Sequence, residues 1–389
     1  MTRSGLVLIV GMILLLGCGL LPERSSVSPA ELEDLVKRHL VFLPKNDFTN
    51  LPAEVIDKDI IFLGEQHNVP ALQEAAAQLA CYLASKKPVV YAVEMTYGMH
   101  PFVEAASLGQ PDPLKPMNIP APILEFNSAQ PPEKKILMTT LDVEHTIYHA
   151  KHLTVLFLRG LAARSISESA RKVLEKQIAE LPAQDTYDKM DAYLKQLKSV
   201  FDKYLNTFGA NDREEILFSV ELLDASNRFQ YISRQGNDGL LRANPLRYRW
   251  FNKTIERALQ KARQRDAVLL CRVGVWHVSL DTECEARYFA KEYAKTKGNV
   301  ATVNFVPVFF SSEPIPQTRG QNNNVENDIN AIVTEQLNDD SYCYLSLNEI
   351  SQQARGSLDW SKYFYDGNHP TCDGLLFVKI VKDADPNND

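Results

Sequence analysis

Four apolar runs each hand over to imidazole or carboxylate groups: Gly64-Glu65-Gln66-His67 after Ile60–Leu63, Glu94 after Val89–Val93, Asp142-Val143-Glu144-His145 after Ile136–Leu141, and Gly274-Val275-Trp276-His277 after Val268–Val273. Gathered at one place, such groups can bind a borderline or hard divalent ion. They can equally form a His–carboxylate base that activates water without metal. With 8 His and 17 Gly in the chain, chance supplies about a third of one Gly-x-x-His. Two copies, both at the ends of apolar runs, mark His67, His277, Glu65 and Glu94 as candidate catalytic residues. His67, His277 and Glu65 are also the candidate metal ligands. Asp142 and His145 are placed to orient the site, although a cap or first-turn role explains Asp142 about as well. Gly64 and Gly274 permit the turn out of each strand. Arg247 and Arg249 face either an anionic substrate group or a cleft carboxylate. His145, His149 and His152 share one helical face, without the HExxH pattern; His39, His100 and His369 default to the surface.

These residues need a scaffold that brings strand ends together. Apolarity that is continuous rather than alternating, as in the four runs above and in Ala301–Phe309 and Leu375–Val381, suits strands buried on both faces of a parallel sheet. Pro70–Ser85 and Arg247–Arg265 read as helices between them, so the fold class is α/β, with a mostly parallel central sheet flanked by helices. Ligands bind at the C-terminal edge of such sheets. Prolines crowd 100–135 and predict a long loop. From about 165 to 236 the pattern is helical, with apolar residues three or four apart after Asp185, and predicts an all-helical insertion. Residues 311–330 read as a loop.

The N-terminus has Arg3, an apolar run Leu6–Leu16 and then Gly17-Cys18. That is the layout of an export signal too short to span comfortably. Leu15-Leu16-Gly17-Cys18 resembles a bacterial lipobox, which predicts cleavage before Cys18, its acylation, and anchoring to a lipid bilayer of the cell envelope. Residues 1–17 are then signal, 18–30 tether, and 31–389 a single domain. Export leaves Cys343 and Cys372 free to form a bridge, while Cys81 and Cys271 read as buried thiols. With 42 Lys plus Arg against 49 Asp plus Glu, a net charge of −7 and no basic block, nucleic acid is an unsuitable partner. P-loop, Gly-x-Gly-x-x-Gly and Gly-x-Ser-x-Gly patterns are absent, against an NTPase, a dinucleotide enzyme or a serine hydrolase.

Taken together, IIFLGEQH, VVYAVEM, RVGVWHV and CDGLLFVKI resemble the ChaN-like haem-uptake lipoproteins and the wider superfamily of Tiki-type metalloproteases, TraB/PrgY proteins and erythromycin esterases. The resemblance covers most of 55–160 and 240–382. Its branches imply different chemistry. The Tiki-type branch implies a divalent-metal hydrolase built on Gly64/His67, Gly274/His277 and Glu94. The erythromycin-esterase branch implies a His general base beside glutamates without metal, with its first Glu and His spaced one residue wider than Glu65 and His67. The ChaN-like branch implies haem bound through a Tyr, which does not map onto Tyr91, Tyr97 or Tyr148. The leading expectation is a metal-dependent hydrolase of ester or amide bonds acting on a small-molecule or peptide substrate; the alternative is a haem-binding lipoprotein without turnover.

Overall fold

Alternate residues of each central strand are buried on opposite faces, which is why the runs are apolar without a break. Ile61 and Leu63 of β2 (Ile60–Glu65) pack with Tyr91 and Val93 of β3 (Val89–Thr96) and Leu270 of β5 (Val268–Gly274) beneath helix Pro70–Ala84. Ile60, Phe62, Val90, Leu269 and Cys271 pack on the other face against Phe251, Ile255 and Leu259 of helix Gly239–Gln264. The computed structural model describes residues 27–67, 69–109, 119–143, 150–163, 167–204, 210–280, 283–310, 325–337, 341–354 and 372–381.

The remaining strands are β1 (Leu40–Pro44), β4 (Leu137–Asp142), β6 (Val300–Phe310), β7 (Ser341–Ser346) and β8 (Gly374–Val381). All eight form one sheet in the order β1-β7-β8-β6-β2-β5-β3-β4. Only the pairings made by β7 are antiparallel, so the mostly parallel sheet expected is present. In chain order the long helices are α1 (Pro29–His39), α2 (Pro70–Ala84), α3 (His100–Ser107), α4 (Ala121–Ser128), α5 (Ala150–Ala163), α6 (Glu168–Ala179), α7 (Tyr187–Tyr204), α8 (Ala210–Ser233), α9 (Gly239–Gln264) and α10 (Val325–Gln336). From β2 the chain crosses through α2 to β3 on one side; from β5 it crosses to β6 on the other side of β2. Right-handed crossovers in opposite directions put their helical segments on opposite faces and leave a crevice beyond the ends of β2 and β5.

Several expectations change. The Pro-rich stretch holds two helices, α3 and α4, because Pro101 and Pro122 stand in their first turns, where a missing N–H costs nothing. Helix α9 starts eight residues before Arg247 and runs through Pro245. Helix α10 takes up 325–330, read as loop. Residues 29 and 30, assigned to the tether, begin α1 behind a Ser28–Glu31 capping box. Cys343 and Cys372 are separate buried thiols: Ser346 faces Gly374 across β7 and β8, leaving Cys343 roughly 10 Å further along the strand. Cys81 is half-buried and Cys271 buried. The helical insertion is present as α6, α7 and α8, whose Leu174, Met190, Leu197, Phe201 and Ile216 share a core with α5.

Candidate active site

The C-terminal edge of the sheet brings six predicted side chains and both glycines to one place. β3 carries Glu94 two residues before its end, and the Glu94 carboxylate is the hub. Its Oε2 accepts from the Gly274 backbone N–H at 2.6 Å and its Oε1 from Arg247 at 2.8 Å. His277 Nε2 lies 3.3 Å from Oε1, and His67 Nε2 lies 3.7 Å from Oε2. Arg247 also forks onto both oxygens of Asp142, at 2.9 and 2.8 Å, a bidentate geometry that only a guanidinium gives. Asp142 thus supports Glu94 through Arg247. Glu65 ends β2 and meets Arg272 at 3.4 Å and His67 Nδ1 at 3.9 Å.

The two glycines are needed for room. A Cβ on Gly274 would fall 2.9 Å from His67 Nε2 and 3.4 Å from Glu94 Oε2; one on Gly64 would collide with Asn304 and come within 2.7 Å of Val278. Neither has a positive φ, so close approach, rather than turn geometry, is the reason for glycine at both.

Glu285 was not among the sequence candidates. It is buried and accepts from His277 Nδ1 at 2.7 Å. Phe251 stacks on the His277 ring with centroids 4.8 Å apart. Burial alone would lower the His277 pKa, but the Glu285 charge and hydrogen bond, reinforced by Glu94, raise it to about 10. His277 is therefore an imidazolium at neutral pH. Burial would raise the Glu94 pKa, yet His277, Arg247 and the Gly274 N–H hold it well below the usual carboxylate range. Burial pushes Asp142 up to about 6 against the pull of Arg247, which still leaves it mostly ionised at neutral pH. For His67 the neighbouring Glu65 raises the pKa, against partial burial.

Three expectations fall elsewhere. Arg249 is exposed and lines a cleft on the outer side of α9, because it sits two residues from Arg247 and so points off a different face. His145 and Cys18 lie outside the described residues. His100, expected at the surface, is 1% exposed. Its Nδ1 meets Thr139 at 3.1 Å, and its Nε2 meets Lys261 and Glu104, each at 3.0 Å, and Glu215 at 3.4 Å. Tyr97 donates to Glu215, and Arg257 reaches it at 2.9 Å. Burial would raise the Glu215 pKa, but His100, Lys261 and Arg257 bring it to about 2. This network ties α8 of the insertion to α3 and α9.

Among the described residues, no group of three or more His, Cys, Asp or Glu is placed to hold an ion. Arg247 stands on Glu94, Arg272 faces Glu65, and the His277 nitrogens face two carboxylates. Arg247 and Arg272 thus compete with any metal for one oxygen of Glu94 and one of Glu65. Of the tyrosines near the strand ends, Tyr91 and Tyr97 are buried, at 0% and 3% exposure, and Tyr148 lies outside the described residues.

No family model matches the sequence, and no curated protein matches it. Among solved structures the fold has clear counterparts. It superposes on a succinoglycan biosynthesis protein with a TM-score of 0.61 and 11% identity, over 91% of this chain and 97% of that one. It superposes on a mutant of the erythromycin esterase EreC in its open conformation with a TM-score of 0.52 and 11% identity, over 87% and 97%. The chain is thus an α/β protein that shares its fold with an erythromycin esterase, one of the groups its strand-end motifs resemble.

Proposed function

We propose that the protein is a hydrolase of ester or amide bonds in which His67 is the general base. One observation carries this reading. His67 is the open member of the cluster, with 55% of its side chain exposed against 4%, 9% and 14% for Glu65, Glu94 and His277. A buried, already protonated His277 cannot take up a proton; an accessible imidazole between two carboxylates can. His67 then removes a proton from attacking water. Glu94 stabilises the imidazolium that forms, and Glu65 holds the ring from its other side. His277, fixed by Glu285, and Arg247, fixed by Asp142, keep Glu94 ionised and in place. Each proton taken by His67 returns to the leaving alkoxide or amine.

The fitted donors support a metal-independent version of the hydrolase expected from the motifs. The test is turnover of p-nitrophenyl acetate by the full chain with and without a chelator. Activity that survives chelation and falls by about 10²–10⁴ in His67→Ala agrees with the reading. Activity removed by chelation and restored by a divalent ion refutes the metal-free assignment. Full activity in His67→Ala refutes the general base.

Attachment to a bacterial envelope through acylated Cys18 belongs to the same proposal and is supported by the leader pattern alone. No helix among the described residues is long and apolar enough to cross a membrane.

A further inference from the structure

The crevice beyond β2 and β5 is walled by the two chain segments that leave those strands. Glu65 pairs with Gly274 in the parallel register, so His67 and Trp276, each two residues on, leave the sheet at the same level from neighbouring strands. The single 3₁₀ turn Val275–His277 directs His277 inward, at 14% exposure, onto Glu94, Glu285 and Phe251. With three residues per turn, that sets the other two side chains outward: Val275 is 37% exposed and Trp276 70%. The fold thus dictates that position 276 is outside, but it does not dictate tryptophan. An indole left mostly in water gains little from folding, and a polar residue would stand there at less cost.

The charge of the site lies underneath. Glu65, Glu94 and Asp142 are buried, and Arg247 and Arg272 are largely so. The exposed residues of the two segments are Gln66 and His67 on one side and Val275 and Trp276 on the other. A substrate approaching His67 between them meets an imidazole, an amide and an apolar surface. Among the described residues 64–67 and 274–278, no carboxylate, ammonium or guanidinium is exposed.

We propose that Trp276, with Val275 beside it, is a specificity-determining residue that binds the apolar part of the substrate. The inference rests on the hydrolase reading and names its substrate class: a neutral ester or amide with an alkyl or ring group next to the scissile bond. The indole covers that group while His67 activates water at the adjoining carbonyl. An acetyl ester, with one methyl to offer, makes little use of this surface.

The test is kcat/KM of the full chain for p-nitrophenyl hexanoate over that for p-nitrophenyl acetate, a ratio in which any loss of folded enzyme cancels. Corrected for the alkaline hydrolysis rates of the two esters, the native ratio favours hexanoate by about tenfold or more. Trp276→Ala lowers the ratio about tenfold, and Trp276→Phe keeps most of it. Phe42→Ala removes an exposed aromatic at the far margin of the sheet and leaves the ratio as it is. A second readout needs no turnover: heptan-2-one, a ketone with the hexanoyl alkyl chain that cannot be hydrolysed, is titrated by ligand-observed NMR and binds about tenfold more weakly to Trp276→Ala. Hexanoate no better than acetate, a ratio unchanged in Trp276→Ala, or an equal fall in Phe42→Ala overturns the proposal, and ester turnover that depends on His67 then leaves the hydrolase reading standing. Ketone binding that depends on Trp276 in a protein that turns over neither ester refutes the hydrolase reading and keeps the apolar site. No ketone binding, or equal affinity in native protein and Trp276→Ala, overturns the proposal whatever the esters show.

Discussion

Replacing Glu285 by glutamine isolates the charge that keeps His277 protonated. Burial opposes that proton, and Glu285 followed by Glu94 overcomes the opposition to place the pKa at about 10, against an ordinary value near 6.5. The folded pKa is the higher one, so this group stabilises fully below about pH 6.5, and the stabilisation is lost as pH rises through about 10. The gap of about 3.5 units is an upper bound of about 5 kcal/mol. Between about pH 7 and 8.5 the folded chain holds a proton that the unfolded chain has released, so stability falls by about 2 kcal/mol through His277. Cysteines of the unfolded chain begin to titrate at the top of that window and add to the slope, and the comparison of native with variant cancels them. In Glu285→Gln only Glu94 remains to hold the proton. If the pKa drops to about 8, the loss across the window is roughly halved, and the variant is about 2–3 kcal/mol less stable at neutral pH. His67 contributes in the same direction, and the comparison of native with variant cancels it. Urea unfolding at several pH values reads the slope, and proton NMR of the imidazole Cε1–H reads the titration. Equal slopes in the two proteins, or His277 titrating near 6.5 in the native one, would refute the argument.

Gly274→Ala pushes a methyl against His67 Nε2 and Glu94, so ester turnover falls at least about tenfold while unfolding shows a cost of about 1–3 kcal/mol. Arg247→Met strands two buried carboxylates, Glu94 and Asp142; denaturation should show a loss of about 3–5 kcal/mol, partly recovered by adding Asp142→Asn. Cys18→Ser abolishes acylation, which detergent-phase partitioning of the expressed protein will read as transfer to the aqueous phase.

The centre of the molecule was legible in the sequence because burial on both faces leaves a continuous apolar signature. β2, β3, β4, β5, β6 and β8 all carry it. β1 and β7 do not: β1 is half-exposed along its length, and Ser341-Tyr342-Cys343-Tyr344 mixes polar and apolar residues as strands near a sheet margin do. Glu94, His67 and His277 were readable because each stands at or just beyond the end of a continuous apolar run. Glu285 was not, since it comes from a three-residue helix beyond the β5 turn, and only the folded chain brings it to His277. His100 was misread because a lone histidine carries no sign of the Lys261 and Glu215 that bury it, more than a hundred residues away. The apolar spacing that revealed the insertion said nothing of its attachment.

That attachment has a consequence for how the protein can be taken apart. Along α9, Arg247 anchors Glu94 and Asp142, while Arg257 and Lys261 further on face Glu215 of α8. The helical insertion is therefore not a removable appendage. Excising it would leave Arg257 and Lys261 on the α/β scaffold without their shared counter-charge, so a shortened chain would need new residues at position 257 at least.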